Sequence, residues 1–80
     1  MPTVLRIGPY RFQFYASDLT EPPHIHVKRD AAEAKFWLEP QVRLEWQRGY
    51  GRRELSLIER LVIENRESLI GEWREYLNRR

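Results

Sequence analysis

The first half of the chain alternates apolar and polar residues with a period of two, which is typical of β-strands. Turn-forming residues interrupt the alternation at Gly8-Pro9, in the loop 18–23 and in the hairpin turn 30–33. The pattern therefore predicts four strands and a shorter fifth, at residues 4–7, 10–16, 24–29, 34–39 and 42–46.

The second half changes to helical spacing after a basic loop at 47–51. Apolar residues recur every three or four positions from about Arg52 to Asn78. One helix over this range would be about 40 Å long, whereas a domain of 80 residues is about 30 Å across. We therefore expect either a break near Asn65 and Arg66 or a projecting apolar end, and a projecting end would favour a homodimer through the C-terminal helix.

These patterns together predict one α+β domain over residues 1–80. An antiparallel sheet of four to five strands (about 3–46) packs on one long C-terminal helix (about 52–78), which covers only one face of the sheet. The covered face is expected to carry Leu5, Ile7, Phe12, Phe14, Ile25, Val27, Phe36, Leu38, Leu44 and Trp46. The other face is expected to carry Arg11, Gln13, Tyr15, His24, His26, Lys28, Lys35, Trp37, Glu39 and Arg43.

Composition narrows the function classes only slightly. The chain has no cysteine, which excludes disulfides and thiolate metal sites. Residues 1–6 contain no long apolar run, so we expect no signal peptide, no membrane span and a cytoplasmic location. The formal net charge is +2, and arginine supplies all 14 basic residues except Lys28 and Lys35. Nothing in the sequence calls for a cofactor.

The expected open face of the sheet is aromatic and basic. Tryptophan, tyrosine and arginine are frequent anchors of protein interfaces, and aromatic side chains among basic ones also form stacking platforms for RNA or single-stranded DNA. A third interpretation is a solvated face with scattered aromatics. The predicted binding surface consists of Arg11, Tyr15, His24, His26, Lys28, Lys35, Trp37 and Arg43.

Both histidines of the chain follow Pro22-Pro23 at alternate strand positions, so His24 and His26 point to the same side. They could act as general base and general acid of a metal-independent ribonuclease, with Lys28 stabilising charge on the phosphate. Lys35 and Arg11 are alternatives to Lys28 in that role. In the simplest structural alternative, His24 bonds a loop carbonyl and orders the segment that leads into the strand.

A metal site is a further interpretation of the same two histidines. A His-x-His pair on a strand has suitable ligand geometry, but zinc needs at least one more protein ligand. Glu21, Glu39 and Asp18 are candidates, and none stands at a diagnostic spacing. We therefore predict no metal site, and if one exists His24 and His26 are its ligands.

A second basic cluster surrounds the predicted start of the helix. Arg48, Arg52 and Arg53 flank Tyr50 and two glycines at a position where the helix dipole favours anions. Either these arginines bind an anion such as phosphate, or they are solvated in a flexible connection.

Three segments carry a resemblance to a known family. They are Pro-Pro-His-Ile-His-Val at 22–27, Lys-Arg-Asp-Ala-Ala-Glu-Ala-Lys-Phe-Trp-Leu at 28–38, and the tail 54–76 with Trp73 and Tyr76 near its end. The chain resembles the small bacterial proteins of domain-of-unknown-function family 4160. Because members commonly lie beside a second small gene, the resemblance implies a small partner protein encoded next to this one and a toxin–antitoxin-like pair.

The resulting hypothesis is a small binding protein of such a two-protein module, which acts through the open sheet face. The ribonuclease and the metal-binding protein remain the alternatives.

Overall fold

The computed structural model describes residues 3–15 and 20–78 and shows an α+β fold, as predicted. The strands are β1 (Thr3–Ile7), β2 (Tyr10–Gln13), β3 (His24–Arg29), β4 (Ala32–Trp37) and β5 (Arg43–Arg48), and the helices are α1 (Arg52–Glu64) and α2 (Arg66–Asn78). The five strands form one antiparallel sheet in the order β1-β2-β3-β4-β5, so each strand pairs with the next along the chain. Ala16, predicted at the end of the second strand, lies outside the described residues.

The hairpin between β3 and β4 is tighter than predicted. Arg29 pairs with Ala32, so only Asp30 and Ala31 form the turn. Asp30 has φ 54°, a left-handed conformation that aspartate tolerates better than most residues. The prediction that placed Ala32 and Glu33 in the turn was wrong, and both residues belong to β4.

A β-bulge in β5 changes which face its side chains occupy. Phe36 pairs with Leu44, but the preceding Lys35 pairs with Trp46, so Glu45 is the extra residue. One extra residue reverses the alternation, because side chains in a strand repeat every two residues. Leu44 therefore stays on the face that the helices cover, whereas Trp46 lies on the opposite face, contrary to the prediction.

The single long helix was also wrong, because the chain breaks at Asn65. The Asn65 side chain donates to the carbonyl of Leu61 at 2.8 Å, and its own backbone leaves helical geometry at ψ 14°. Arg66 then donates to the carbonyls of Leu38 (2.7 Å) and Pro40 (3.2 Å), which ties the elbow to the loop after β4. This is the break near Asn65 and Arg66 that the length argument anticipated.

The break removes the projecting helix end from which a homodimer was argued. The molecule measures 35 × 24 × 20 Å along its principal axes, which is shorter than one continuous helix would require. A homodimer through the C-terminal helix stays a prediction that now lacks this argument.

The hydrophobic core lies between the helices and one face of the sheet. Its members alternate along the strands as the sequence pattern predicted and meet the apolar stripes of both helices. The large side chains buried most deeply are Phe12, Phe14, Ile25, Val27, Phe36 and Leu38 from the sheet side, and Ile58, Val62, Leu69 and Trp73 from the helices.

A polar cluster fixes the start of α1 to the sheet. Glu54, in the first turn, accepts hydrogen bonds from Arg29 (2.6 and 2.9 Å) and from the Tyr10 hydroxyl (2.7 Å). The Arg29 guanidinium holds the pKa of Glu54 below its ordinary value, and burial raises the pKa of Tyr10. Beside them, burial raises the pKa of Tyr50 to about 12, and its hydroxyl donates to the Val27 carbonyl at 2.9 Å.

Candidate binding surface

The face of the sheet opposite the packed helices, here called the polar face, carries three rows of directly paired residues. The first, the cationic row, crosses all five strands and consists of Arg6, Arg11, Lys28, Glu33 and Arg48. The second consists of Gln13, His26, Lys35 and Trp46, and the third of His24, Trp37 and Arg43. Cross-strand pairing thus gathers most of the predicted binding surface on one face.

Glu33 forms the centre of the polar face. It is only 5% exposed, yet its carboxylate accepts from the Tyr15 hydroxyl at 2.8 Å and from the Arg48 guanidinium at 3.3 Å. His26 Nδ1 lies 3.1 Å from the same carboxylate. This contact holds the histidine ring in one orientation, and it is a hydrogen bond to the carboxylate in the tautomer that carries a hydrogen on Nδ1.

His24 lies in an aromatic box. Its ring centroid is 5.3 Å from that of His26, 5.4 Å from Trp37 and 5.2 Å from Trp73 of α2. Its Nδ1 is 2.9 Å from the carbonyl oxygen of Pro22, which is the loop-carbonyl contact considered from the sequence. The ring therefore fixes the segment that leads into β3.

The expectation that both histidines are open to solvent was wrong. His24 is 0% exposed and His26 is 4% exposed. The reason is aromatic packing: Trp73 contacts His24 at the start of β3, and Tyr15 contacts His26 with ring centroids 4.3 Å apart. A histidine nitrogen that must reach a ribose hydroxyl would need these rings to move.

The other predicted surface residues differ in how available they are. Arg11, Lys28 and Trp37 are half-buried, and Arg43 is exposed. Lys35 is largely buried, because its ammonium group bonds the Glu21 carboxylate at 2.7 Å and lies 4.6 Å from the centre of the Trp37 ring. Lys35 is thus occupied within the chain.

Four residues of the polar face were absent from the predicted face: Arg6, Glu33, Trp46 and Arg48, the last of which was predicted in the basic loop and belongs to β5. Arg6 could have been predicted from the alternation of β1, since its side chain lies on the other face of the strand from those of Leu5 and Ile7. Placing Glu33 on this face requires knowing that the turn before it has only two residues. Placing Trp46 there requires knowing of the bulge in β5, which the hydrophobic pattern does not reveal.

The three arginines of the predicted anion site do not come together. Arg48 points to the polar face, where it bonds Glu33. Arg52 lies in the helix layer, where it lines a cavity of about 130 Å³ with Leu44 and Leu55. Arg53 is exposed in the first turn of α1.

Within residues 3–15 and 20–78, no cluster of three or more His, Cys, Asp or Glu side chains is arranged to hold a metal ion. Glu21 approaches His24 Nδ1 at 3.7 Å, whereas Glu39 faces Arg74 of α2 at 3.7 Å. The third candidate ligand, Asp18, lies outside the described residues. The same part of the chain contains no helix with the length and apolar character needed to cross a membrane.

No curated protein and no solved structure matches the chain. The model of one family does match, and that family is described as a domain of unknown function, DUF4160. The match extends over residues 10–74 and so includes β2 to β5, α1 and most of α2. This chain therefore belongs to the DUF4160 family.

Proposed function

We propose that this protein is the binding component of a two-protein, toxin–antitoxin-like module in the bacterial cytoplasm, and that its polar face holds the partner protein. The observation on which the proposal rests is the exposure of Trp46. This large aromatic side chain is 38% exposed on an edge strand, where folding alone gains little from it.

The surroundings of Trp46 support an interface. The Arg48 guanidinium lies 5.7 Å from the centre of its ring, and the exposed Arg43 stands in the next row. Trp37 donates its indole hydrogen to Glu45 at 2.8 Å, which holds that second ring in place. Tryptophan and arginine are the residues that most often dominate binding energy at interfaces.

Charge indicates what kind of protein fits. Arg43 and Arg48 are both exposed beside Trp46, and Glu45 is the acidic side chain between them. A partner that presents carboxylates around an apolar pocket would complement this surface. The small protein encoded next to this one is the proposed occupant.

Co-expression of both proteins, followed by affinity capture of this one, tests the proposal. We expect a stoichiometric complex that Trp46→Ala or Arg43→Ala weakens by at least about tenfold, because hot-spot truncations typically cost about 2 kcal/mol or more. Leu57→Ala is the matched control, since Leu57 is 43% exposed on α1. Absence of a complex at micromolar concentration, or equal loss in the control, would refute the proposal.

One observation favours RNA cleavage as a second candidate function. The contact between His26 and Glu33 is the arrangement by which a carboxylate orients a histidine base in many hydrolytic sites. Purified protein would then cleave RNA, and both His26→Ala and Glu33→Gln would abolish cleavage while circular dichroism showed a folded chain. Intact RNA after incubation with the unmodified protein would exclude this candidate.

A further inference from the structure

We propose that the cationic row binds the phosphate backbone of single-stranded nucleic acid. This inference does not rest on the proposed partner protein. It shares Trp46 and Arg48 with the proposed function but depends on Arg6, Arg11 and Lys28, at the far side of the sheet from Trp37 and Arg43. Loss of nucleic-acid binding in variants of these three residues would therefore leave the protein partner untouched.

Three cationic side chains stand side by side on β1, β2 and β3. Arg6 stands directly opposite Arg11, and Arg11 directly opposite Lys28, on three adjacent strands. Within the part of the chain that the structure describes, no side-chain hydrogen bond or ion pair involves any of the three. Arg48, at the other end of the row, is held by Glu33 but keeps 66% of its side chain exposed.

Repulsion among these cations lowers the stability of the sheet. Like charges placed directly opposite each other on neighbouring strands destabilise a sheet. A run of three cations that have no side-chain partner among the described residues is therefore unfavourable for folding, and residues that oppose folding are concentrated at functional sites. A bound polyanion would remove this repulsion.

Glu33 does not cancel the row. Glu33, on β4, is paired with Lys28 of β3 on one side and with Arg48 of β5 on the other. Its carboxylate is buried, however, and contacts Tyr15 and His26 as well as Arg48. An anion lying over the face would meet the cations at the surface and would find this carboxylate already satisfied.

The length of the row and the ring of Trp46 at its end favour nucleic acid over an acidic protein. Adjacent strands are about 4.8 Å apart, so the row extends about 19 Å across the sheet as a linear track of positive charge. At its β5 end, the exposed ring of Trp46 lies beside Arg48. A phosphate track with an aromatic platform next to it is the arrangement by which proteins bind unpaired nucleotides. An acidic peptide has no base to stack on Trp46.

Fluorescence anisotropy with a labelled single-stranded RNA, and with DNA of the same sequence, tests the inference. Four phosphate contacts predict a slope of log affinity against log salt of about −2.8, so affinity should fall about 50-fold between about 50 mM and about 200 mM salt. We expect both single strands to bind more tightly than the matching duplex, because only an unpaired base can stack on Trp46.

The decisive variant replaces Arg6, Arg11 and Lys28 together by glutamine. With one contact left, affinity should fall only about threefold over the same salt range, and binding at low salt should be at least tenfold weaker. Arg60→Gln is the control, because Arg60 is an exposed arginine on α1, away from the polar face. The triple variant should melt at the same temperature as the unmodified protein or higher, since it removes repulsion.

Four results would overturn the inference. The first three are no binding of either single strand at low salt, a triple variant that binds as well as Arg60→Gln, and duplex binding equal to single-strand binding. Polyglutamate that competes as well as the RNA at equal charge would assign the row to an acidic protein instead, and would equally refute it.

Discussion

The two faces of the sheet carry different kinds of side chain. The covered face is closed by apolar side chains such as Phe12, Val27 and Phe36, each 0% exposed. The polar face is closed at its centre by the contacts of Glu33 and His26 and at the start of β3 by the aromatic rings around His24, and its margins carry exposed arginines and Trp46. The comparison teaches that one face accounts for the fold, whereas the margins of the other contain groups that folding does not need.

The largest effect should come from exchanging one large side chain on each face. Phe36→Ala should destabilise the protein by about 3–5 kcal/mol, because it opens a cavity in a closed core. Trp46→Ala should cost less than about 1 kcal/mol, since a surface side chain loses little on truncation. Equilibrium urea unfolding measures both, and similar losses would break the distinction between the faces.

The next effect concerns the closed centre of the polar face. Glu33→Gln should cost about 1–3 kcal/mol, because it weakens hydrogen bonds from Tyr15 and Arg48 and the contact with His26 in a buried place. Glu64→Gln, an exposed change on α1, should be nearly neutral. If both variants have the same free energy of unfolding in urea, Glu33 does not hold the centre of this face together.

Two glycines should respond with opposite signs. Gly49→Ala should destabilise by about 1–2 kcal/mol, because Gly49 has φ 89° and an added Cβ would lie 2.9 Å from the Ala32 Cβ. Gly71→Ala should stabilise α2 by up to about 1 kcal/mol, since nothing lies within 4 Å of its added Cβ. Thermal unfolding of the pair tests the hairpin geometry that positions Glu33.

A smaller effect should appear on acidification, at the covered face. Glu54 has a lowered pKa in the folded state, so its contribution to stability is present above its ordinary value of 4.5 and is lost as pH falls through the folded value. Glu54→Gln should flatten this part of the stability–pH profile. A variant that keeps the full acid-induced loss would show that the Arg29 contact does not anchor α1.

The smallest effect should come from the margin of the polar face. Arg11→Gln should raise stability by a few tenths of a kcal/mol, because it relieves repulsion from Arg6 and Lys28. The gain should shrink as salt screens the charges. Unfolding in low and high salt measures it, and a loss of stability would mean that Arg11 supports the fold.

Most of the fold was predictable because it depends on local periodicity. Alternation placed Phe12 and Phe14 correctly in the core, and the helical spacing located the helical part of the chain, though as one helix instead of two. The bulge at Glu45 was not predictable, because the sequence of β5 still alternates apolar and polar residues. The extra residue nevertheless moves the side chains that follow it to the other face of the sheet. The break at Asn65 was only an alternative, since it depends on contacts with Leu61 and the loop after β4.

The candidate site was less predictable than the fold. Pairing of neighbouring strands brought Arg11, Lys28 and His26 to one face as expected, since hairpin register follows from alternation. The burial of His24 depends on Trp73, which lies far along the chain in α2. No local pattern encodes such a contact, so the exposure of the histidines was misjudged.

The indole signals of the three tryptophans test most directly whether the polar face is the binding surface. The isotope-labelled protein would be titrated with the proposed partner, the purified product of a neighbouring small gene, and followed by NMR. The account predicts that the Trp46 and Trp37 indole signals shift while that of Trp73, 2% exposed in the core, stays in place. An unmoved Trp46 signal, with shifts around Leu57 and Ile63 on α1, would contradict it.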